Sequence, residues 1–199
     1  GFLWYSPRMN ITSVKFIRGL VTGDHNYDTS LPQVVVYGRS NAGKSTLVNK
    51  ITQRNSLARV SQNPGRTREA NLYLVNNSWY LIDMPGYGYA KTSKTDRDSF
   101  KELVYGFIRD THADSRKSIL IVDSKAGITD LDQELLDTLI NQGESVTIIL
   151  NKIDRLRQSE LAAIMKQVRS QVSDSINIIP CSSKNGKGIP QLYASLLGE

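Results

Sequence analysis

The sequence predicts an α/β fold: a three-layer arrangement with a mostly parallel mixed sheet and helices on both faces. Three observations carry this. Short apolar runs alternate along the chain with segments whose apolar residues recur at helical spacing. A glycine-rich loop, Gly38-Arg39-Ser40-Asn41-Ala42-Gly43-Lys44-Ser45, joins the run Val34-Val35-Val36-Tyr37 to one such segment, which is the strand–loop–helix context of a phosphate-binding P-loop. Two further apolar runs end on short polar motifs, Asp83-Met84-Pro85-Gly86 and Asn151-Lys152-Ile153-Asp154, as the ligand-binding strands of open sheets do.

The elements follow in chain order. Ile11 to Ile17 reads as an edge strand inside an N-terminal extension over residues 1–31, with a loose polar stretch from Thr22 to Ser30. Residues 32–199 read as one nucleotide-binding domain, long enough to bury a sizeable core. Strand 33–37 leads into the glycine loop and a helix over 44–53. Residues 71–75 and 78–82 read as a hairpin about Asn76-Asn77, which makes the sheet mixed. A helix over about 95–110 puts Phe100, Leu103, Val104, Phe107 and Ile108 on one face. Ile119 to Val122 is a strand, and Thr129 is placed to cap the next helix, with Leu131, Leu135, Leu136 and Leu139 inward. Strand 146–150 precedes a helix over 159–172, with Leu161, Ile164, Met165, Val168 and Val172 inward. Strand 176–179 and a helix over 189–197 close the chain.

The loop at 38–45 has the composition phosphate binding needs. Gly38 and Gly43 let the backbone curl so that successive N–H groups face phosphate oxygens. Lys44 brings a positive charge to the β- and γ-phosphates, and the Ser45 hydroxyl is a ligand for Mg²⁺. The helix that starts here adds its positive dipole end. Asp83, at a strand end, reads as a second Mg²⁺ residue acting through water, and Gly86 as a backbone N–H donor to the γ-phosphate.

The base is read further on. The Asp154 carboxylate accepts from both N1–H and N2–H₂ of guanine, a pair adenine does not offer. Asn151 is placed to meet the base and the P-loop backbone, and the Lys152 stem to lie along the base face, with Ile153 between Lys152 and Asp154. Cys181-Ser182-Ser183, followed by Lys184, matches the loop whose backbone N–H meets guanine O6. Between the P-loop and Asp83 lies a polar switch segment, Asn63-Pro64-Gly65-Arg66-Thr67-Arg68 and then Glu69. Thr67 is its Mg²⁺ ligand when γ-phosphate is present. The expected nucleotide contacts are therefore residues 38–45, 65–69, 83–86, 151–154 and 181–183. Lys44, Thr67 and Gly86 are the candidate catalytic groups.

These motifs resemble the EngB family (also YihA or YsxC) of Era-like, translation-factor-class GTPases with a Ras-like G domain. Asp83-Met84-Pro85-Gly86-Tyr87-Gly88-Tyr89-Ala90 is similar to the family's D-L-P-G-Y-G-Y-A, and residues 38–45 to its G-R-S-N-x-G-K-S. Asn63 to Thr67 resembles its T-P-G-[KR]-T, and Val122-Asp123-Ser124 through Gly127 to Asp132 its V-D-x-R-x-G-x-x-x-x-D. The likeness runs from about Met9 to Leu197. It implies GTP hydrolysis with Mg²⁺, a cytoplasmic protein (an organellar matrix being the alternative), and a role in large ribosomal subunit assembly and normal cell division. Two departures stand out. Asn151 replaces the family's usual Thr at the base-reading site, and Lys125-Ala126 stand where an Arg is common. Residues 1–8 have no family counterpart, with Met9 as a candidate start, and the N-terminus lacks the apolar core of a signal peptide.

Tyr87 stands where many Ras-like GTPases carry the Gln that orients the attacking water, so slow intrinsic hydrolysis is expected, stimulated by a partner or a monovalent cation. Tyr87 packing against the switch helix is the alternative role. Asn41 occupies the position of a potassium ligand in related cation-dependent GTPases; its alternative is turn formation.

The net charge of +6 suits a nucleic-acid partner. Arg54, Arg59, Arg66 and Arg68, with Lys91, Lys94, Arg97 and Lys101, are expected to form one positive face toward ribosomal RNA and ribosomal proteins, presented by a monomer, with solvated surface charges as the alternative. No 18-residue apolar run is present, so no membrane span is expected. The single cysteine, Cys181, cannot form an intrachain disulfide and reads as a small packed residue, with a redox thiol as the alternative. His25 and His112 stand alone. Three classes are weighed: a GTP-hydrolysing switch, which is favoured, a nucleotide-gated RNA- or protein-binding module with negligible turnover, and a P-loop phosphotransferase. The last lacks room for an acceptor lid.

Overall fold

The computed structural model describes residues 10–24, 27–55, 57, 69–88, 94–110 and 115–197. Seven strands form one sheet: β1 (Val14–Leu20), β2 (Gln33–Gly38), β3 (Ala70–Val75), β4 (Trp79–Asp83), β5 (Arg116–Asp123), β6 (Ser145–Asn151) and β7 (Asn177–Pro180). Their order across the sheet is β1-β3-β4-β2-β5-β6-β7. β3 is antiparallel to β1 and β4, while β4, β2, β5, β6 and β7 run parallel. The mixed, mostly parallel sheet matches the expectation.

Alternation along the strands sorts the core into two layers. Val34, Val36, Ile119 and Ile121 face α1 (Lys44–Ile51) and α5 (Ile189–Leu197), which supply Leu47, Val48, Ile51, Leu192 and Leu196. Val35, Tyr37, Leu120 and Val122 face α2 (Lys94–Asp110), α3 (Asp130–Asn141) and α4 (Gln158–Gln171). Every residue of β2 is buried, as a central parallel strand requires. Among the described residues, no helix is long and apolar enough to cross a membrane.

The structure differs locally from the sequence reading in three places. The first strand begins at Val14 rather than Ile11. The hairpin residue Asn76 captures the preceding backbone instead: its Oδ1 accepts from Thr12 N (2.9 Å) and Ser13 N (3.1 Å), and its Nδ2 donates to Asn10 O (2.8 Å). Asn76 and Asn77 both have φ near +50°, the geometry of the expected tight hairpin. Leu131 is exposed (41%) rather than inward, because Asp132 takes the inward position in the first turn of α3. In α4 only Val168 is fully buried; Leu161, Ile164, Met165 and Val172 pack partly buried against the same layer. In α2, Leu103, Val104, Phe107 and Ile108 are buried as predicted, with Phe100 half-buried beside them.

Candidate nucleotide site

Because β2, β4, β5 and β6 run parallel, their carboxyl ends share one edge, and Gly38, Asp83, Asp123 and Asn151 stand at those ends. The P-loop leaves β2 there. Ala42 N donates to Arg39 O (3.1 Å), closing its turn, and α1 begins at Lys44 beside Ser45. Asn41 (φ 68°) and Gly43 (φ 98°) both adopt left-handed backbone. A Cβ on Gly43 would lie 2.3 Å from Asn151 Nδ2, so only glycine fits.

Asn151 is the hub. Fully buried, it donates from Nδ2 to Ala42 O (2.9 Å), and its Oδ1 accepts from Ser183 N (3.0 Å) and Ser183 Oγ (2.9 Å). One side chain therefore ties the P-loop to both base-reading loops. Ile153 N donating to Cys181 O (3.2 Å) adds a backbone tie between those loops. Ser182 Oγ donates to Asp154 Oδ1 (2.5 Å), which orients the carboxylate and holds it below its ordinary pKa. Lys152, with φ 67°, sends its ammonium to Asn41 O and to Asp123 Oδ2 (2.7 Å).

At the phosphate end, the Lys44 ammonium pairs with buried Asp83. Gly86 lies against Ser40; a Cβ there would stand 3.1 Å from Ser40 Oγ. Ser40 N donates to Tyr87 O (2.7 Å), so the segment after Asp83 is hydrogen-bonded across the P-loop. Pro85 is half-buried in that segment. The side chains of Met84 and Ile153 belong to the buried interior and leave only their backbones for a ligand. Cys181 is buried, which pushes its thiol up to about 11 and makes it a packed residue rather than a reactive one.

Gly65, Arg66, Thr67 and Arg68 lie outside the described residues, as do Arg59, Lys91, His25 and His112, and the side chains of Lys94 and Arg97. Glu69 is exposed at the head of β3, with its carboxylate against Gly19 of β1. Two members of the expected basic face are engaged: Arg54 donates to Thr12 O (3.1 Å), and Lys101 pairs with Glu134 (2.7 Å).

The Tyr87 ring packs against Phe100 of α2 (5.5 Å between centroids), the alternative role the sequence offered. Two pairings escaped the sequence reading. The Tyr87 hydroxyl donates to Asp132 Oδ1 (2.6 Å). Asp123 faces Lys152. An acidic residue at the ligand edge of a parallel strand was the available signal for Asp123, whereas nothing local paired Tyr87 with a residue 45 positions on.

Sheet order, P-loop and base-reading loops define a P-loop GTPase. The family model described as 50S ribosome-binding GTPase matches residues 33–152, and that of the elongation factor Tu GTP-binding domain matches residues 108–198. A probable GTP-binding protein EngB of Aquifex aeolicus is 36% identical over 166 residues, covering 83% of this chain and 90% of its own length. Its counterpart in Anaplasma marginale is 37% identical over 186 residues, covering 92% and 90%. The crystal structure of a probable GTP-binding protein EngB aligns with a TM-score of 0.69 at 26% identity, covering 83% of this chain and 98% of that one. The chain belongs to the EngB family of GTP-binding proteins.

Proposed function

We propose that this chain binds Mg²⁺-GTP in the cleft and acts as a slow GTP-driven switch in large ribosomal subunit assembly, in the cytoplasm, with normal cell division depending on that supply of ribosomes. The nucleotide part rests on Asn151, whose bonds to Ala42 and Ser183 join phosphate loop and base loops into one rigid site.

The residues suit Mg²⁺. Asp83 and Ser45 offer hard oxygen donors beside Lys44, and among the described residues no cluster of three or more His, Cys, Asp or Glu competes for a metal. That is the donor set of an ion held by one or two protein oxygens plus phosphates. Ser45 would ligate it directly, Asp83 through water, and Thr67 would complete the set; when bound, it offsets charge on the β- and γ-oxygens. Lys44 neutralises charge on the same oxygens and turns from Asp83 toward phosphate as they arrive. The Gly86 N–H is the donor to the γ-phosphate. Asp154 selects guanine, and Asn151, holding the Ser183 N–H and hydroxyl, keeps the neighbouring loop in place beside the base.

Tyr87 supports the slow rate. With its hydroxyl on Asp132, it presents no group to the attacking water, and an unassisted rate on the order of 10⁻⁴–10⁻³ per second is expected. A ribosome-bound activator or a potassium ion at Asn41 would raise it. The same observation favours the second reading, a nucleotide-gated binding module with negligible turnover; steady-state phosphate release separates the two.

The ribosomal partner is supported by the 50S ribosome-binding description of the family matched over residues 33–152 and by the net charge of +6. Co-sedimentation with purified large subunits, comparing GDP with a non-hydrolysable GTP analogue, tests it. Binding with the analogue alone is expected. Equal binding in both states removes the switch, and no binding in either removes the ribosome.

A further inference from the structure

Asp123 lies outside the phosphate and base motifs, yet it contacts the base-reading loop directly. It ends β5 directly across from Asn151, its register partner at the end of β6. Its Oδ1 accepts from Lys125 N (2.9 Å), which fixes the carboxylate's orientation, and its Oδ2 accepts from Lys152 Nζ (2.7 Å). The same ammonium donates to Asn41 O in the P-loop. The pair is mostly sheltered, with side-chain exposures of 18% for Lys152 and 25% for Asp123. A sheltered, charge-assisted bond of this kind is stronger than an open surface pair.

Lys152 needs such an anchor. It has left-handed backbone, uncommon for a residue with a long side chain, and a stem with four rotatable bonds. With Asn41 O alone, the ammonium would have one neutral acceptor and several competing rotamers. With Asp123 on its other side, the stem is stretched between two fixed points.

We infer that Asp123 is a positioning residue for nucleotide retention: its carboxylate holds the Lys152 ammonium against the P-loop, so that the lysine stem forms a fixed surface for the guanine face. The inference rests on the reading of the cleft as the guanine-nucleotide site.

The test is the release rate of GDP carrying a fluorescent N-methylanthraniloyl group, measured on the full chain with Mg²⁺. Asp123→Asn and Lys152→Ala should each speed release about tenfold. The double variant should be no faster than the faster single within about twofold, because both remove one coupled interaction. Asp123→Glu keeps the charge and should recover part of the loss, which a role in strand-end packing alone would not give. Single-turnover hydrolysis from the preloaded Asp123→Asn complex should change far less than release. Thermal melts by circular dichroism establish that the variants fold; if Asp123→Asn does not, Asp123→Glu and Lys152→Ala carry the comparison. Release from Asp123→Asn within about twofold of the unmodified chain, or effects that multiply in the double variant, would overturn the inference. Failure of the unmodified chain to retain the labelled GDP would instead strike at the site itself, and the inference would fall with it.

Discussion

The Tyr87 hydroxyl donates to Asp132 Oδ1 at 2.6 Å, while Asp132 Oδ2 accepts from Thr129 N (2.9 Å) and Thr129 Oγ1 (2.7 Å). One buried carboxylate thus caps α3 and anchors the residue that follows Gly86. Burial, with Asp132 beside it, drives the phenol far above its ordinary pKa, so Tyr87 stays a neutral donor at any physiological pH.

Removing that donor should be a stability lesion. Tyr87→Phe keeps the ring on Phe100 and takes away only the hydroxyl. It should cost about 1–3 kcal/mol, read as a lower urea midpoint at unchanged slope. An unchanged midpoint would mean the bond contributes nothing. A hundredfold fall in hydrolysis at saturating GTP, about 2.7 kcal/mol of barrier, would put the phenol in the reaction after all.

Gly43→Ala should destroy the nucleotide site. The new methyl would sit 2.3 Å from Asn151 Nδ2 on a backbone with φ 98°, so the amide must leave Ala42 O. Strain of about 1–3 kcal/mol is expected, with GDP affinity down at least about a hundredfold. Titration calorimetry showing GDP affinity within about threefold of normal would contradict the role given to Asn151.

Asp154→Asn should change which base binds. An amide at this position offers one acceptor and one donor in place of two acceptors. GDP affinity should fall by about 10²–10⁴, while xanthosine diphosphate, with a carbonyl at C2, should gain. Equal loss of both nucleotides would separate Asp154 from the base.

The pH response of guanosine binding, which isolates the base site, should be flat through neutrality. The Ser182 hydrogen bond holds Asp154 below the ordinary carboxylate value of 3.8. At Asp123, burial works to raise the carboxyl, but hydrogen bonds from Lys152 and the Lys125 amide, with the charges of Lys152 and Arg155, outweigh it and leave the value lowered. Groups depressed in the folded protein contribute fully above their unfolded value, near 3.9, and lose that contribution as pH falls through the folded value. Guanosine carries no phosphate to titrate, so its binding measured from about pH 8 to 5 should hold steady, and a loss centred near pH 6 would point to a different titrating group on the protein.

Most of the fold was legible because its signals are local. The P-loop, the Asn76-Asn77 turn and the apolar strands β2 and β5 announce themselves within a few residues. The Asn151-Lys152-Ile153-Asp154 motif was equally plain as a sequence, since its residues stand together at one strand end; reading the base is the role proposed for it. What could not be read were pairings between distant segments: Asn76 holding residues 10–13, Tyr87 on Asp132, Asp123 on Lys152. Leu131 was misplaced for a related reason. Helical periodicity assigned it inward, but the inward position of that turn belongs to Asp132, whose partners come from outside α3.

The most direct test of the account is calorimetric titration of the purified chain with GDP and with ADP in the presence of Mg²⁺. If Asn151 joins phosphate loop and guanine loops into one site read by Asp154, GDP should bind at least about 10³-fold more tightly than ADP. Comparable affinities would show that the phosphates alone are recognised, and the guanine site described here would be wrong.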